Sequence, residues 1–326
     1  MTVLVTGASG FLGRAVAAAV RDAGHEVRTF QRRPSGVAGV DGGAAVSDVL
    51  GTMTDPAAVA RAVEGVDAVV HLAAKVSLAG DPADFTRVNV EGTQTLIDAA
   101  RAAGVSRFVF VSSPSVAHTG SSIAGADASP ASPDGARGDY ARTKAAAELL
   151  ALAADAPGFA VVAVRPHLVW GPGDTQLVGR IVDRARRGRL PLLDSGAALI
   201  DSCYVDNAAS AMVAALAHAA DDAVHGNAYV VTNGEPRPVA DLLDGICRAS
   251  GVPTPRWHVP AGVARAAGSL VEAVWRVRPG VDEPPMTRFL AEQLSTSHWF
   301  DQRRTRRDLQ WEPAVSIDEG LRRLAG

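Results

Sequence analysis

The chain reads as an α/β protein with a doubly wound parallel sheet and a smaller C-terminal lobe, and three observations predict it. Apolar runs of about five residues alternate with longer helical stretches through the first half. The turn after the first run is rich in glycine and opens straight into a helix. Beyond Pro166 the alternation stops, and Pro and Gly become dense. Strands that recur with helices between them run parallel, and right-handed crossovers then cover both faces of the sheet.

Taken in order, 2–6 is a short buried strand, 11–23 a helix stopped by Gly24, and 25–30 the next strand. A short helix over 56–63 precedes a clear strand at 67–71, and 84–103 has helical length up to Gly104. Residues 107–111 form another apolar strand, 139–154 a helix and 160–165 a strand. The stretch 112–138, rich in Ser, Pro, Gly and Asp, is a long loop of the kind usually tied to function or motion. Past Pro166, short helices at 207–219 and 239–249 sit between Gly- and Pro-rich segments.

Composition excludes several functions. With 326 residues, 47% hydrophobic and 21% charged, the chain can build one large core plus a lobe. A net charge of −3 does not supply the basic surface of a general nucleic-acid binder. No run of 18 uncharged apolar residues is present, so no transmembrane helix is expected. Met1 leads directly into a strand, so no secretory leader is expected and a cytoplasmic location follows, with peripheral attachment to a membrane or an enzyme assembly left open. Cys203 and Cys247 are far apart, which argues against a disulfide scaffold and a metal site.

The glycine-rich turn is Gly7-Ala8-Ser9-Gly10-Phe11-Leu12-Gly13. Glycines at a β-to-α turn let a pyrophosphate approach the backbone, and the helix start adds free N–H groups and a positive dipole end. Gly7, Ser9, Gly10, Phe11, Leu12 and Gly13 are therefore candidate dinucleotide ligands of a Rossmann fold. At the end of the next strand Phe30-Gln31-Arg32-Arg33 has no acid for a ribose 2′-hydroxyl. Two guanidiniums suit a 2′-phosphate, so Arg32 and Arg33 predict NADP(H). Two solvated arginines in an arginine-rich chain are the plain alternative. The chain then divides into an NADP-binding domain over 1–166, completed by later segments, and an interwoven substrate lobe over 167–326.

Tyr140 and Lys144 lie four apart on one helix face, in a chain with only three Tyr and two Lys. Reduction of a ketone builds charge on oxygen and needs a proton donor, and an ammonium beside a phenol lowers its pKa toward neutrality. Ser113, just after the strand at 107–111, can orient the carbonyl. Ser112 is its neighbour, and either serine alone would read as a turn residue.

These motifs together resemble the short-chain dehydrogenase/reductase superfamily. His71-Leu72-Ala73-Ala74, Asn89-Val90-Glu91-Gly92-Thr93 and Arg165-Pro166-His167-Leu168-Val169-Trp170-Gly171-Pro172-Gly173 are similar to its extended branch. Within that branch, Asn233-Gly234-Glu235-Pro236 and the run from Pro285 to Trp299 resemble the bacterial 2-alkyl-3-oxoalkanoate reductases of long-chain olefin and β-lactone biosynthesis. The resemblance implies Tyr140 as general acid, Lys144 as its partner and a ribose ligand, and Ser113 in preference to Ser112. It implies Leu72, Ala73 and Ala74 along the cofactor, Pro166 and His167 beside the nicotinamide, and Asn89 as a structural residue behind it. The adenine contact stays unassigned between Gly51-Thr52-Met53 and Ser47-Asp48-Val49. Lys75 reads either as a partner for a substrate carboxylate or as a loop lysine. The implied substrate is a hydrophobic, fatty-acyl-derived oxo acid, with room for pathway partner enzymes and a homo-oligomer. The alternatives are a 3β-hydroxysteroid or other hydrophobic alcohol dehydrogenase and, from another class, a non-catalytic NADP-binding sensor. A sugar-nucleotide epimerase fits the apolar lobe less well.

In 261–277, Val263, Ala267, Leu270, Val271, Val274 and Trp275 form one helical stripe. Core packing is the plain expectation. An acyl-pocket wall and a docking face for a partner or membrane are the sharper ones. His298 and Trp299 are assigned no chemistry.

Overall fold

Among the described residues, seven strands form one parallel sheet: β1 (Thr2–Thr6), β2 (Glu26–Gln31), β3 (Val46–Leu50), β4 (Ala68–His71), β5 (Arg107–Val111), β6 (Ala160–Pro166) and β7 (Ala228–Val231). The computed structural model describes residues 1–39, 43–77, 80–118, 120–277 and 288–326, with side chains for all of these but 272–277 and 288–290. The strand order is β7-β6-β5-β4-β1-β2-β3. It reverses direction between β1 and β4, so a crevice opens at the C-terminal ends of these strands, where such sheets bind ligands.

Alternation along β1 explains the two-sided core. Val3 and Val5 face the helices Phe11–Asp22 and Val205–His218 through Val16, Val20, Ala208 and Met212. Leu4 faces the other way, toward Val59, Leu96 and Ala147 of the helices Pro56–Val63, Gly92–Ala102 and Gly138–Ala153. All three β1 side chains have 0% exposure. Such strands, covered on both faces, read as continuous apolar runs.

Expected and observed elements differ at several places, three of them as follows. β3 has burial only at half-exposed positions, because it is the sheet edge and carries Ser47 and Asp48. The long helix expected at 84–103 is built as a short helix Pro82–Phe85, a π-helical turn Thr86–Glu91 and an α-helix Gly92–Ala102. The stretch 112–138 is not a plain loop. It contains a 3₁₀ turn Pro114–Ala117 and a strand Ile123–Ala126, which pairs in parallel with His298–Phe300. That pair joins Leu199–Ile200 and Arg237–Pro238 in a second, four-stranded sheet, drawn from four distant segments, that walls the substrate side.

The 261–277 stripe does not pack inward where it is described. Val263 is 59% and Leu270 68% exposed, while Ala261, Ala264 and Gly268 turn to the protein, Ala264 against Ala291 and Leu193. Small residues let this helix seat closely, so the larger apolar ones face out. The side chains of Val274 and Trp275, and all of Pro285, Met286 and Thr287, lie outside the described residues. No helix among the described residues is long and apolar enough to cross a membrane.

Candidate active site

The dinucleotide bed is built at the end of β1. Gly7 takes φ +75° and donates to Phe30 O of β2 (2.9 Å), and Gly10 donates to Gly7 O (3.0 Å). A Cβ on Gly13 would stand 2.2 Å from Gly7 O, so only glycine lets the helix start this close to the turn. Gly10 is exposed and no side chain caps the helix that begins at Phe11. The amides of Phe11 and Leu12 thus open at a positive helix end, which fits a pyrophosphate. Ser9 is half-buried on the same turn. Arg32 and Arg33 are exposed just past β2, next to this turn. Asp48 is the nearest acid on β3, but it already accepts from Thr29, from Gln31 Nε2 (3.4 Å) and from Ser35 N (3.1 Å). Burial pushes its pKa up, yet those hydrogen bonds, Thr29 first, hold the carboxyl below its ordinary range.

A neutral hydrogen-bond relay positions the loop after β4. Thr93 donates to Asn89 O (2.6 Å), so its oxygen accepts from His71 Nε2 (3.0 Å). His71 Nδ1 then accepts from Thr6 Oγ1 (2.7 Å), and the Thr6 oxygen accepts from Leu72 N (3.1 Å) and Ala73 N (3.0 Å). Burial, aided by the charge of Lys144, lowers His71 to about 3, so the relay stays neutral. It fixes Leu72, Ala73 and Ala74, all half-buried, beside Gly7. Asn89 ties this loop to the catalytic helix: its Oδ1 accepts from Lys75 N (2.7 Å), and its Nδ2 donates to Lys75 O (3.1 Å) and Thr143 Oγ1 (3.0 Å). A side chain with both an acceptor and two donors is what this position needs. It sits in the π-helical turn, a geometry frequent at functional sites.

Tyr140 and Lys144 lie on the helix Gly138–Ala153. Lys144 is 3% exposed, with Nζ 4.2 Å from the centroid of Phe110. Burial lowers its pKa to about 7, against a smaller upward pull from Glu148. Glu148 is itself buried and paired with Arg165, whose Nε donates to Oε2 at 2.9 Å. Burial raises the Tyr140 phenol to about 12. The depression of that phenol expected from Lys144 is not seen in the protein alone, where loss of hydration sets the shift. The consequence is a phenol that keeps its proton at neutral pH. Ser113 Oγ accepts from Ser115 N (3.3 Å) and Ser115 Oγ (3.0 Å), which leaves its own proton to donate outward. Ser113 and Tyr140 share the wall of one cavity, whereas Ser112 is buried and outside that lining.

That cavity has a volume of about 260 Å³. Ile123, Leu168, Ile181, Leu242 and Leu243 are among its aliphatic walls. Three buried histidines also line it. Thr296 donates to Glu292 O (2.7 Å), so it accepts from His298 Nε2 (2.9 Å), which leaves His118 Nε2 (3.0 Å from His298 Nε2) as the acceptor of the pair. His167 donates from Nδ1 to Asp201 O (2.7 Å). Burial lowers His298 to about 3 and His167 to about 4, and it lowers His118 as well. The wall is polar in places and carries no imidazolium at neutral pH.

The structure thus brings Ser113, Tyr140 and His167 to one cavity, places Lys144 a helical turn behind Tyr140, and sets Pro166 at the end of β6 one residue before His167. Lys75 is not in the lining. Its Nζ pairs with Asp84 (3.1 Å) and lies 4.8 Å from the Phe85 ring. The sequence reading did not find His118, Arg180 and Arg184 in the lining. For the arginines the signal was present: they are four apart, next to Leu177 and Ile181.

Residues 3–232 match the model of the NAD dependent epimerase/dehydratase family. Over 328 residues the chain is 43% identical to a 2-alkyl-3-oxoalkanoate reductase of Stenotrophomonas maltophilia, covering 99% of this chain and 98% of that protein. It is 32% identical over 332 residues to a 3 beta-hydroxysteroid dehydrogenase/Delta 5→4-isomerase of Mycobacterium tuberculosis, covering 98% and 88%. Among solved structures it is similar to a short-chain dehydrogenase/reductase superfamily protein from Agrobacterium tumefaciens with bound NAD, at TM-score 0.75 and 25% identity over 100% and 96% of the chains.

Proposed function

The chain belongs to the NAD dependent epimerase/dehydratase family and is an NAD(P)-dependent oxidoreductase, and on that premise we propose that it reduces a 2-alkyl-3-oxoalkanoate to the 2-alkyl-3-hydroxyalkanoate with NADPH, reversibly. The observation that carries this reading is the aliphatic cavity onto which Tyr140 and Ser113 both open. Support also comes from the reductase relative that matches along nearly its whole length. The uncapped helix at Phe11, the Gly7–Gly13 contact and the two exposed arginines after β2 suit a dinucleotide with a 2′-phosphate. When bound, the nicotinamide supplies the hydride. Ser113 holds the substrate carbonyl, and Tyr140 gives its proton to the oxygen as charge develops there. Lys144 stands behind the phenol, ready to bind ribose hydroxyls and to balance the phenolate left behind. Asn89 keeps that helix in register with the cofactor bed. A place in head-to-head condensation of acyl chains, toward olefins or β-lactones, follows from the same resemblance.

A second reading, a 3β-hydroxysteroid dehydrogenase, is favoured by the mycobacterial relative and by the same apolar cavity. Steady-state oxidation of 2-alkyl-3-hydroxy acids against 3β-hydroxysterols, with NADP⁺ and NAD⁺, separates the two. Turnover of the hydroxy acids with NADP⁺ is expected, and turnover of sterols alone sinks the oxo-acid reading. Tyr140→Phe should lose about 10²- to 10⁴-fold in kcat while still binding NADPH in a fluorescence titration. Unchanged turnover in that variant removes Tyr140 from the chemistry, whereas NADPH binding with no turnover of either substrate class by the wild type favours a non-catalytic NADP sensor.

A further inference from the structure

The cavity wall opposite the second sheet is the helix Val178–Arg186 together with the residues just before it. Leu177 and Ile181 give it an aliphatic strip, and beside that strip Gln176, Arg180 and Arg184 recur every four residues, so all three lie on one face. Arg180 donates from Nη2 to Gln176 Oε1 at 2.8 Å. The exposed Asp183–Arg187 pair (2.9 Å) is outside the cavity lining. Two guanidiniums thus stand four apart on the wall of a largely apolar cavity. Arg180 and Arg184 are the charged side chains among the described lining residues, since the three histidines there are neutral at pH 7.

We propose that Arg180 and Arg184 seat the carboxylate of the substrate. The inference rests on the oxo-acid reading and deepens it. A 2-alkyl-3-oxo acid has an apolar body and one anionic group. A planar guanidinium fork matches a carboxylate through paired, charge-assisted hydrogen bonds, strongest where water is scarce. A neutral sterol offers nothing to this pair. Lys75, for which a carboxylate partner was one of two sequence readings, is paired with Asp84 outside the lining.

The test is kcat/KM for NADP⁺-linked oxidation of three chain-matched substrates: a 2-alkyl-3-hydroxy acid, its methyl ester, and the secondary alcohol without the carboxyl group. They are compared in the wild type, Arg180→Gln, Arg184→Gln, the double variant and Arg184→Lys. A charge-assisted hydrogen bond predicts a preference of about tenfold to a hundredfold for the acid over the ester in the wild type. That preference should fall about tenfold in each Gln variant, chiefly through KM for the acid, and survive in part in Arg184→Lys. Parallel loss on acid and ester, or an unchanged acid-to-ester ratio in the variants, overturns the proposal. A wild type that oxidises acid and ester equally well also overturns it and leaves the oxo-acid reading standing. A wild type that turns over sterols and none of the three removes that reading, and this inference goes with it.

Discussion

Replacing Lys144 by methionine should make the protein more stable while abolishing its turnover. Lys144 is buried, and its pKa falls from the ordinary 10.5 to about 7. Below about pH 7 the ammonium is present in both folded and unfolded chains, and the fold bears the full cost of burying it. Between pH 7 and 10.5 the unfolded chain binds a proton that the folded chain does not, so stability from this group rises with pH. Above 10.5 the cost is gone. At about 1.4 kcal/mol per pH unit the gap corresponds to about 5 kcal/mol at and below pH 7, shrinking to about 2 kcal/mol at pH 9. Methionine is similar in length, can lie over Phe110, and has no such titration. Urea unfolding of both proteins at pH 6 and pH 9, without dinucleotide, measures it. The variant should unfold at clearly higher urea at pH 6 and by a smaller margin at pH 9. Equal midpoints at pH 6, or a margin that does not narrow with pH, would refute the burial argument.

Gly13→Ala tests the cofactor bed: its Cβ would meet Gly7 O at 2.2 Å and Gly7 C at 2.8 Å, both backbone atoms that cannot rotate away. NADPH binding, followed by fluorescence, should be lost or weakened more than tenfold, and an unchanged Kd would place the dinucleotide elsewhere. The double variant Arg32→Ala/Arg33→Ala tests cofactor choice. KM for NADPH should rise about tenfold or more with kcat and the NADH kinetics nearly unchanged, whereas equal effects on both cofactors would show that the pair does not read a 2′-phosphate.

The parts of the molecule legible in the sequence are those made by neighbours along the chain. β1, the glycine turn and the helix from Phe11 are contiguous, so spacing and residue type carry the information, and Tyr140 and Lys144 share a face by helix geometry alone. β3 was harder because an edge strand needs no apolar face, and Ser47 and Asp48 break the pattern. The second sheet was not legible. Its strand Ile123–Ala126 contains Gly125, a weak strand former, and depends on His298–Phe300 far along the chain. Gly125 is there because the Trp299 ring would lie 2.8 Å from a Cβ, a contact that no local pattern announces. The rise of the Tyr140 pKa was not legible for a related reason. Local chemistry places an ammonium beside a phenol, but how dry the pair becomes depends on the whole fold.

That dryness narrows the source of the proton for ketone reduction. A group lining the cavity must hold a proton at pH 7 and release it more readily than its neighbours. His167 and His298, lowered by burial to about 4 and about 3, are neutral, and so is His118. The N–H of a neutral imidazole is a far weaker acid than a phenol. A serine hydroxyl such as Ser113 can hydrogen-bond the oxygen but gives up its proton poorly. Tyr140, raised to about 12, remains the strongest acid that still holds its proton at neutral pH. Its elevation also favours the direction proposed here. Protonating an alkoxide suits a phenol of high pKa, whereas alcohol oxidation needs the phenolate and should gain from higher pH.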